Sequence, residues 1–125
     1  MDHENRMSDD ITLHGIPNCD SVRQARRWLE EHGVAHAFHD FRRHGLDAAT
    51  VNGWVDALGG WDALVNRRGT TWRKLAEEAR ADLDRDRAVA LMLAHPTIVK
   101  RPVLVRGALV LVGFDATKYT RSLSP

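Results

Sequence analysis

A strand-like run, a turn, an amphipathic helix and a second strand-like run open this chain, and that order restricts its fold more than any other feature. Ile11-Thr12-Leu13 is apolar and reads as a strand over Ile11–His14, after which Gly15, Pro17 and Asn18 supply turn residues. From Asp20 to His32, Val22, Ala25, Trp28 and Leu29 recur at helical spacing, with Arg23, Arg26, Arg27, Glu30 and Glu31 around the other side. Gly33 is a natural helix stop, and Ala35–Phe41 is strand-like again. Two strands joined through a helix make a βαβ unit, which calls for parallel strands and a right-handed crossover.

The remainder of the chain closes that unit in a particular way. Asp47 is a good helix N-cap for Val51, Trp54, Val55 and Leu58, and Gly59-Gly60 ends the pattern. A short helix over Trp61–Val65 is expected next, then helices from about Trp72 to Arg80 and from Leu83 to Ala94, the last stopped by Pro96. Val103–Val105 and Leu109–Val112 flank Arg106-Gly107-Ala108 as a hairpin, and a final helix covers Ala116–Leu123. The expected architecture is therefore α/β: a thioredoxin-like fold over residues 11–125, with a helical insertion subdomain at about 45–95 between strands two and three. Residues 1–10 are polar, lack the order of a secretory signal, and are expected to form a flexible arm.

Composition narrows the chemistry. The chain has no apolar run long enough for a membrane helix, and a net charge of +1 provides no broad field for nucleic acid or a lipid surface. Neither a membrane nor direct nucleic-acid contact is expected, and the protein is read as a monomer. A single cysteine excludes an internal disulfide and points to a reducing, cytoplasmic setting.

That one cysteine, Cys19, stands at the strand-to-helix junction. There the unpaired amides and the positive end of the helix dipole favour thiolate over thiol, and the thiolate is the nucleophile. At a free pKa of roughly 8.5, about 3% of a thiol is ionised at pH 7, but at about 6 roughly 90% is. A lone cysteine elsewhere is most often a small buried hydrophobe, and the junction reverses that default. Asn18 and Ser21 bracket the sulfur. Asn18 is expected to cap the helix and is counted with the substrate-contacting residues. Asp20 opposes the thiolate unless it points outward. The seven histidines form no tight cluster, so no metal site is expected. The four tryptophans sit at helical positions and are read as packing residues.

Three blocks carry a resemblance. Ile11-Thr12-Leu13-His14-Gly15-Ile16-Pro17-Asn18-Cys19-Asp20 is similar to the start of the arsenate reductase (ArsC) and Spx family. Leu64-Val65-Asn66-Arg67-Arg68-Gly69-Thr70-Thr71-Trp72-Arg73-Lys74-Leu75 and His95-Pro96-Thr97-Ile98-Val99-Lys100-Arg101-Pro102-Val103-Leu104 follow in the family's order. The string Arg68–Leu75 most resembles the YffB-like branch. The resemblance implies a thioredoxin-like core with a helical insertion and a catalytic thiolate at Cys19. It also implies arginines that hold an oxyanion or thiol substrate, here Arg101 and Arg68, and a cis bond before Pro102 beside the thiol. Arg67, Arg73 and Lys74 are read as a solvated helix face.

The chain departs from the family pattern at three places. The true reductases carry another arginine near the hairpin end, where this chain has Leu111-Val112-Gly113-Phe114. They carry a histidine four residues before the cysteine, where Gly15 stands, with His14 one position earlier. Spx regulators often carry Cys-x-x-Cys, and Val22 occupies the second position. The expected function is a monothiol reductase with glutathione as co-substrate and no bound cofactor. The alternative is an Spx-like adaptor that binds RNA polymerase, and the third option is arsenate reduction.

Overall fold

The computed structural model describes residues 10–123. Except for Asp10, the arm expected at 1–10 lies outside the described residues. In chain order the elements are β1 (Ile11–Gly15), α1 (Asp20–Glu31), β2 (Ala37–Asp40), α2 (Phe41–His44) and α3 (Ala48–Leu58). A 3-10 turn at Asp62–Leu64 precedes α4 (Thr70–Lys74), α5 (Glu77–Arg80) and α6 (Arg85–Ala94). A second 3-10 turn at Pro96–Ile98 leads to β3 (Val103–Arg106), β4 (Leu109–Val112) and α7 (Ala116–Leu123). The chain divides into two compact units, one running to Asp40 and resuming at Arg101, the other spanning Phe41–Lys100.

The first unit holds the whole sheet, in the order β2-β1-β3-β4. β1 and β2 are parallel, pairing Leu13 with Phe38 and His14 with His39, as a helical crossover requires. β3 runs antiparallel to both β1 and β4, with His14 opposite Val103 and Val103 opposite Val112. Gly107, at φ +58, takes the first position of the two-residue hairpin turn, where a type II′ bend needs a positive φ. Along β1 the period of two is plain: Ile11, Leu13 and Gly15 are buried, and Thr12 and His14 half-buried on the opposite face. Ile11 and Leu13 join Ala25 and Leu29 of α1, Leu104 of β3 and Tyr119 of α7 in one apolar cluster. That cluster fixes α1 against the sheet and, with it, the residue at the N-terminus of α1. This is a thioredoxin-like α/β fold.

The second unit is helical. Asp47 caps α3 by accepting the Thr50 amide at 2.8 Å, and Asp84 caps α6 through the Arg87 amide at 2.9 Å. Arg85 of α6 donates to the Asn52 side chain and carbonyl and pairs with Asp56, tying α6 to α3. The Asn66 amide donates to the Ile98 carbonyl and the Lys100 amide to Leu64, each at 2.7 Å, so the two 3-10 segments are stitched together.

Two elements differ from the sequence expectation. The strand expected at Ala35–Phe41 covers only Ala37–Asp40, because the fully buried Phe41 opens the short helix α2 instead. The helix expected over Trp72–Arg80 is two helices, with Leu75 and Ala76 extended between them. Charge explains the break. Arg73 and Lys74 suit a helix C-terminus, and Glu77 and Glu78 suit the start of a new one.

The fold moves the ionisation of His14 strongly. Burial, and then the neighbouring His39 ring 5.2 Å away, lower its pKa from 6.5 to about 4. Below pH 6.5 the unfolded chain takes up a proton that the native state refuses. Stability from this group is therefore complete above 6.5 and drains away as the pH falls toward 4. Discounted for partial exposure, the loss is about 1–2 kcal/mol. Urea midpoints of wild type and His14→Gln should diverge by that amount between pH 7 and 4, the variant losing less.

Candidate active site

Cys19 owes its position to the way β1 hands the chain to α1. Gly15 ends β1, Ile16 is buried, and Pro17 and Asn18 form an exposed turn closed by the Cys19 amide bonding the Ile16 carbonyl at 3.2 Å. Helical backbone begins at Asp20, so Cys19 itself is the N-cap, with extended φ −98° and ψ 131°. Asn18 is thus not the cap expected from the sequence: it lies one residue too early, exposed in the turn. Residue type alone favoured Asn18, but the cap is set by where helical φ and ψ begin.

A neutral thiol is a poor capping acceptor, and Cys19 makes no cap hydrogen bond from its side chain. The anion is a different matter. Burial pushes the half-buried thiol upward, but the Val22 amide, the Arg101 guanidinium by hydrogen bond and by charge, and the Ser21 amide together outweigh it. The net result holds the thiol below its ordinary range. Val22 is the third residue of α1, and its amide is the one a Ser or Asp cap would accept. The thiolate therefore takes the place of the missing cap.

Arg101 reaches the sulfur because of strand register. His14 pairs with Val103, and continuing that antiparallel register sets Pro102 across from Gly15 and Arg101 across from Ile16. The Arg101-Pro102 bond is cis, and the Pro102 carbonyl accepts the Gly113 amide at 2.8 Å. Cys19, Arg101, Pro102 and Asn18 all belong to the first unit. Arg68 belongs to the second, exposed on the loop before α4. Its amide donates to Asn66 Oδ1 at 3.1 Å, and its carbonyl accepts from the Arg73 guanidinium at 2.6 Å.

Gly15 does more than turn the chain. A Cβ built there would come within 2.7 Å of Val22 Cγ2, so the first turn of α1 lies directly on the bare glycine. Val22 is fully buried and β-branched, with little freedom to yield. Gly15→Ala should cost about 1–3 kcal/mol and displace the Cys19 cap. The urea midpoint would fall and thiol alkylation slow together, and Val22→Ala in the same chain should restore part of both. If neither measurement moves, the close approach has no role in placing the sulfur.

Three features of the site escape residue-by-residue reading: the Ser21 and Val22 amides, the contact between Gly15 and Val22, and an exposed ion pair between Asp20 and Arg23. The i, i+3 spacing of Asp20 and Arg23 on a helix is a sequence signal for the last of these. His14, one position before Gly15, stands on the face of β1 opposite Leu13 and so away from the face that receives α1. No group of three potential metal ligands occurs among the described residues, and none of their helices is long and apolar enough to cross a membrane.

Comparison with known proteins places the chain among relatives. The family model described as the ArsC family matches residues 14–122. A solved structure of a protein called YFFB is 46% identical, covers 91% of this chain and 99% of its own, and superposes with a TM-score of 0.87. An uncharacterized protein of Haemophilus influenzae is 40% identical over 109 residues, 87% of this chain and 95% of its own length. The global transcriptional regulator Spx of Listeria innocua is 26% identical over 117 residues, 90% of this chain and 86% of its own.

Proposed function

The chain belongs to the ArsC family, and from that premise we propose that it is a monothiol reductase in which Cys19 is the nucleophile and glutathione supplies the reducing thiol. One observation carries this reading: the only cysteine caps α1 with helix amides and the Arg101 guanidinium gathered on its anionic form. A packing cysteine has no need of either.

The chemistry follows from that arrangement. The Cys19 thiolate attacks one sulfur of a disulfide substrate, a new S–S bond forms, the substrate S–S bond breaks, and the released thiolate takes a proton from water. A glutathione thiolate then attacks the mixed disulfide and expels Cys19. A thiol held below its ordinary range is the better leaving group, so the same environment assists both steps. With one cysteine in the chain, the second thiol has to come from solution. Arg101 holds the attacking and departing anion, and a guanidinium can also grip a carboxylate on the substrate through two parallel hydrogen bonds. The sequence Leu111–Phe114, without a basic residue, disfavours arsenate as the substrate.

The test is the rate of Cys19 alkylation against pH, with and without glutathione. A midpoint well below 8, and formation with glutathione disulfide of a one-to-one mixed disulfide that excess reduced glutathione discharges, is the expected result. An inert thiol with an ordinary or raised midpoint would remove the mechanism.

The Spx relatives favour a second reading, a non-enzymatic adaptor that docks on RNA polymerase. Where a second cysteine would complete a Cys-x-x-Cys switch, this chain has Val22, fully buried, so a redox-gated adaptor is disfavoured. Co-purification with polymerase, independent of Cys19, would establish the adaptor instead.

A further inference from the structure

This chain can form one sulfur–sulfur bond and has no thiol of its own to resolve it. Cys19 is its only cysteine. The position three residues on, where a Cys-x-x-Cys pair would place the second sulfur, is Val22. Val22 is fully buried, and its Cγ2 lies 2.7 Å from where a Cβ on Gly15 would stand. That space is given to packing α1 on β1.

The fate of a captured substrate then depends on where its other sulfur goes. If the substrate is an internal disulfide of a folded protein, attack by Cys19 on one sulfur frees the other as a thiolate tethered beside the new bond. Well-oriented intramolecular groups act at effective concentrations of about 10⁵ M or more, which no dissolved thiol matches. Cys19 is also the better leaving group, because the Val22 and Ser21 amides and Arg101 favour its anion. The tethered thiolate expels Cys19, and the disulfide forms again. A mixed disulfide between a protein and a small thiol has no such return path. Once the small thiol is on Cys19, the released protein diffuses away.

We infer that the site acts on mixed disulfides between protein thiols and glutathione, and leaves internal protein disulfides unreduced. The inference rests on the thiol chemistry proposed above and names its substrate class. The Cys19 thiolate attacks the glutathione sulfur, the Cys19–glutathione bond forms, the protein–glutathione bond breaks, and the protein thiolate takes a proton from water. A second glutathione thiolate attacks the glutathione sulfur held on Cys19, and Cys19 departs as thiolate. The protein sulfur is reduced, and the oxidised product is glutathione disulfide.

The test gives the full chain two substrates at the same concentration of reduced glutathione: a single-cysteine carrier protein loaded with one glutathione, and insulin. Loss of the carrier adduct should run at least about tenfold faster than with glutathione alone, and insulin reduction should change less than about twofold. Acid-quenched samples from the first reaction should carry glutathione on Cys19, and none should carry the carrier protein. Insulin reduced as fast as the carrier adduct would overturn the inference, and so would carrier protein trapped on Cys19. A Cys19 that alkylates rapidly at neutral pH but accelerates neither reaction would overturn it as well. In each of these cases the reactive thiolate survives and only the substrate class is lost. An inert Cys19 thiol removes the reductase reading itself, and this inference with it.

Discussion

Replacing Cys19 by Ser is expected to abolish glutathione-dependent reduction while making the protein slightly more stable. A serine oxygen is a far weaker nucleophile than a thiolate and forms no mixed disulfide, so turnover should drop on the order of 10⁴-fold or more, to background. The stability gain has a separate cause. With its thiol protonated, Cys19 caps α1 without a side-chain hydrogen bond, whereas a serine hydroxyl at that backbone geometry can accept the Val22 amide. At a pH below the thiol's midpoint the helix should gain about 0.5–1 kcal/mol, read as a higher urea midpoint. Both outcomes together would mean that the sulfur is kept at a cost in stability, as reactive groups often are. A Cys19→Ser protein that retained its rate would end the proposed mechanism, and one that lost stability would mean that the sulfur serves packing instead.

Arg101→Ala should give the second-largest effect, and its pH dependence separates charge from folding. Burial alone raises the thiol; with Arg101 removed, only the Val22 and Ser21 amides oppose it. The midpoint should move up toward the free-thiol value of roughly 8.5, where about 3% is ionised at pH 7. Alkylation at pH 7 should then fall about tenfold and recover near pH 9, because raising the pH restores the thiolate that the arginine no longer stabilises. Arg101→Lys should lie between the two, since an ammonium keeps the charge but not the planar fork. A variant slow at every pH would point to displaced structure, and an unchanged profile would remove Arg101 from the site.

The first half of the site could be read directly from the residues. The apolar run of β1, the turn formers and the helical spacing of Val22, Ala25 and Leu29 are local signals, and they put Cys19 at a helix start without reference to anything distant. The hairpin was equally legible, because Leu109–Val112 and Gly107 carry their own pattern. Boundaries were harder. Phe41 looks like a strand residue and instead opens α2, since its burial is decided by neighbours that pattern cannot name. Asn18 has the better capping side chain, yet backbone geometry gave the position to Cys19.

What no reading of spacing could supply is the meeting of Cys19 with Arg101, 82 positions later in the chain. From the residues themselves, the family resemblance aside, Arg101 is one of many arginines on a charged chain. It becomes the sulfur's partner only because β3 pairs antiparallel with β1 in the register that sets His14 against Val103. The close seat of Val22 on Gly15 is decided by how α1 packs back on β1. Local sequence thus determined that this chain would present a cysteine at a helix N-terminus, since helix and turn propensities act over a few residues. Strand pairing and core packing, which join residues far apart in sequence, decided which charge faces that cysteine.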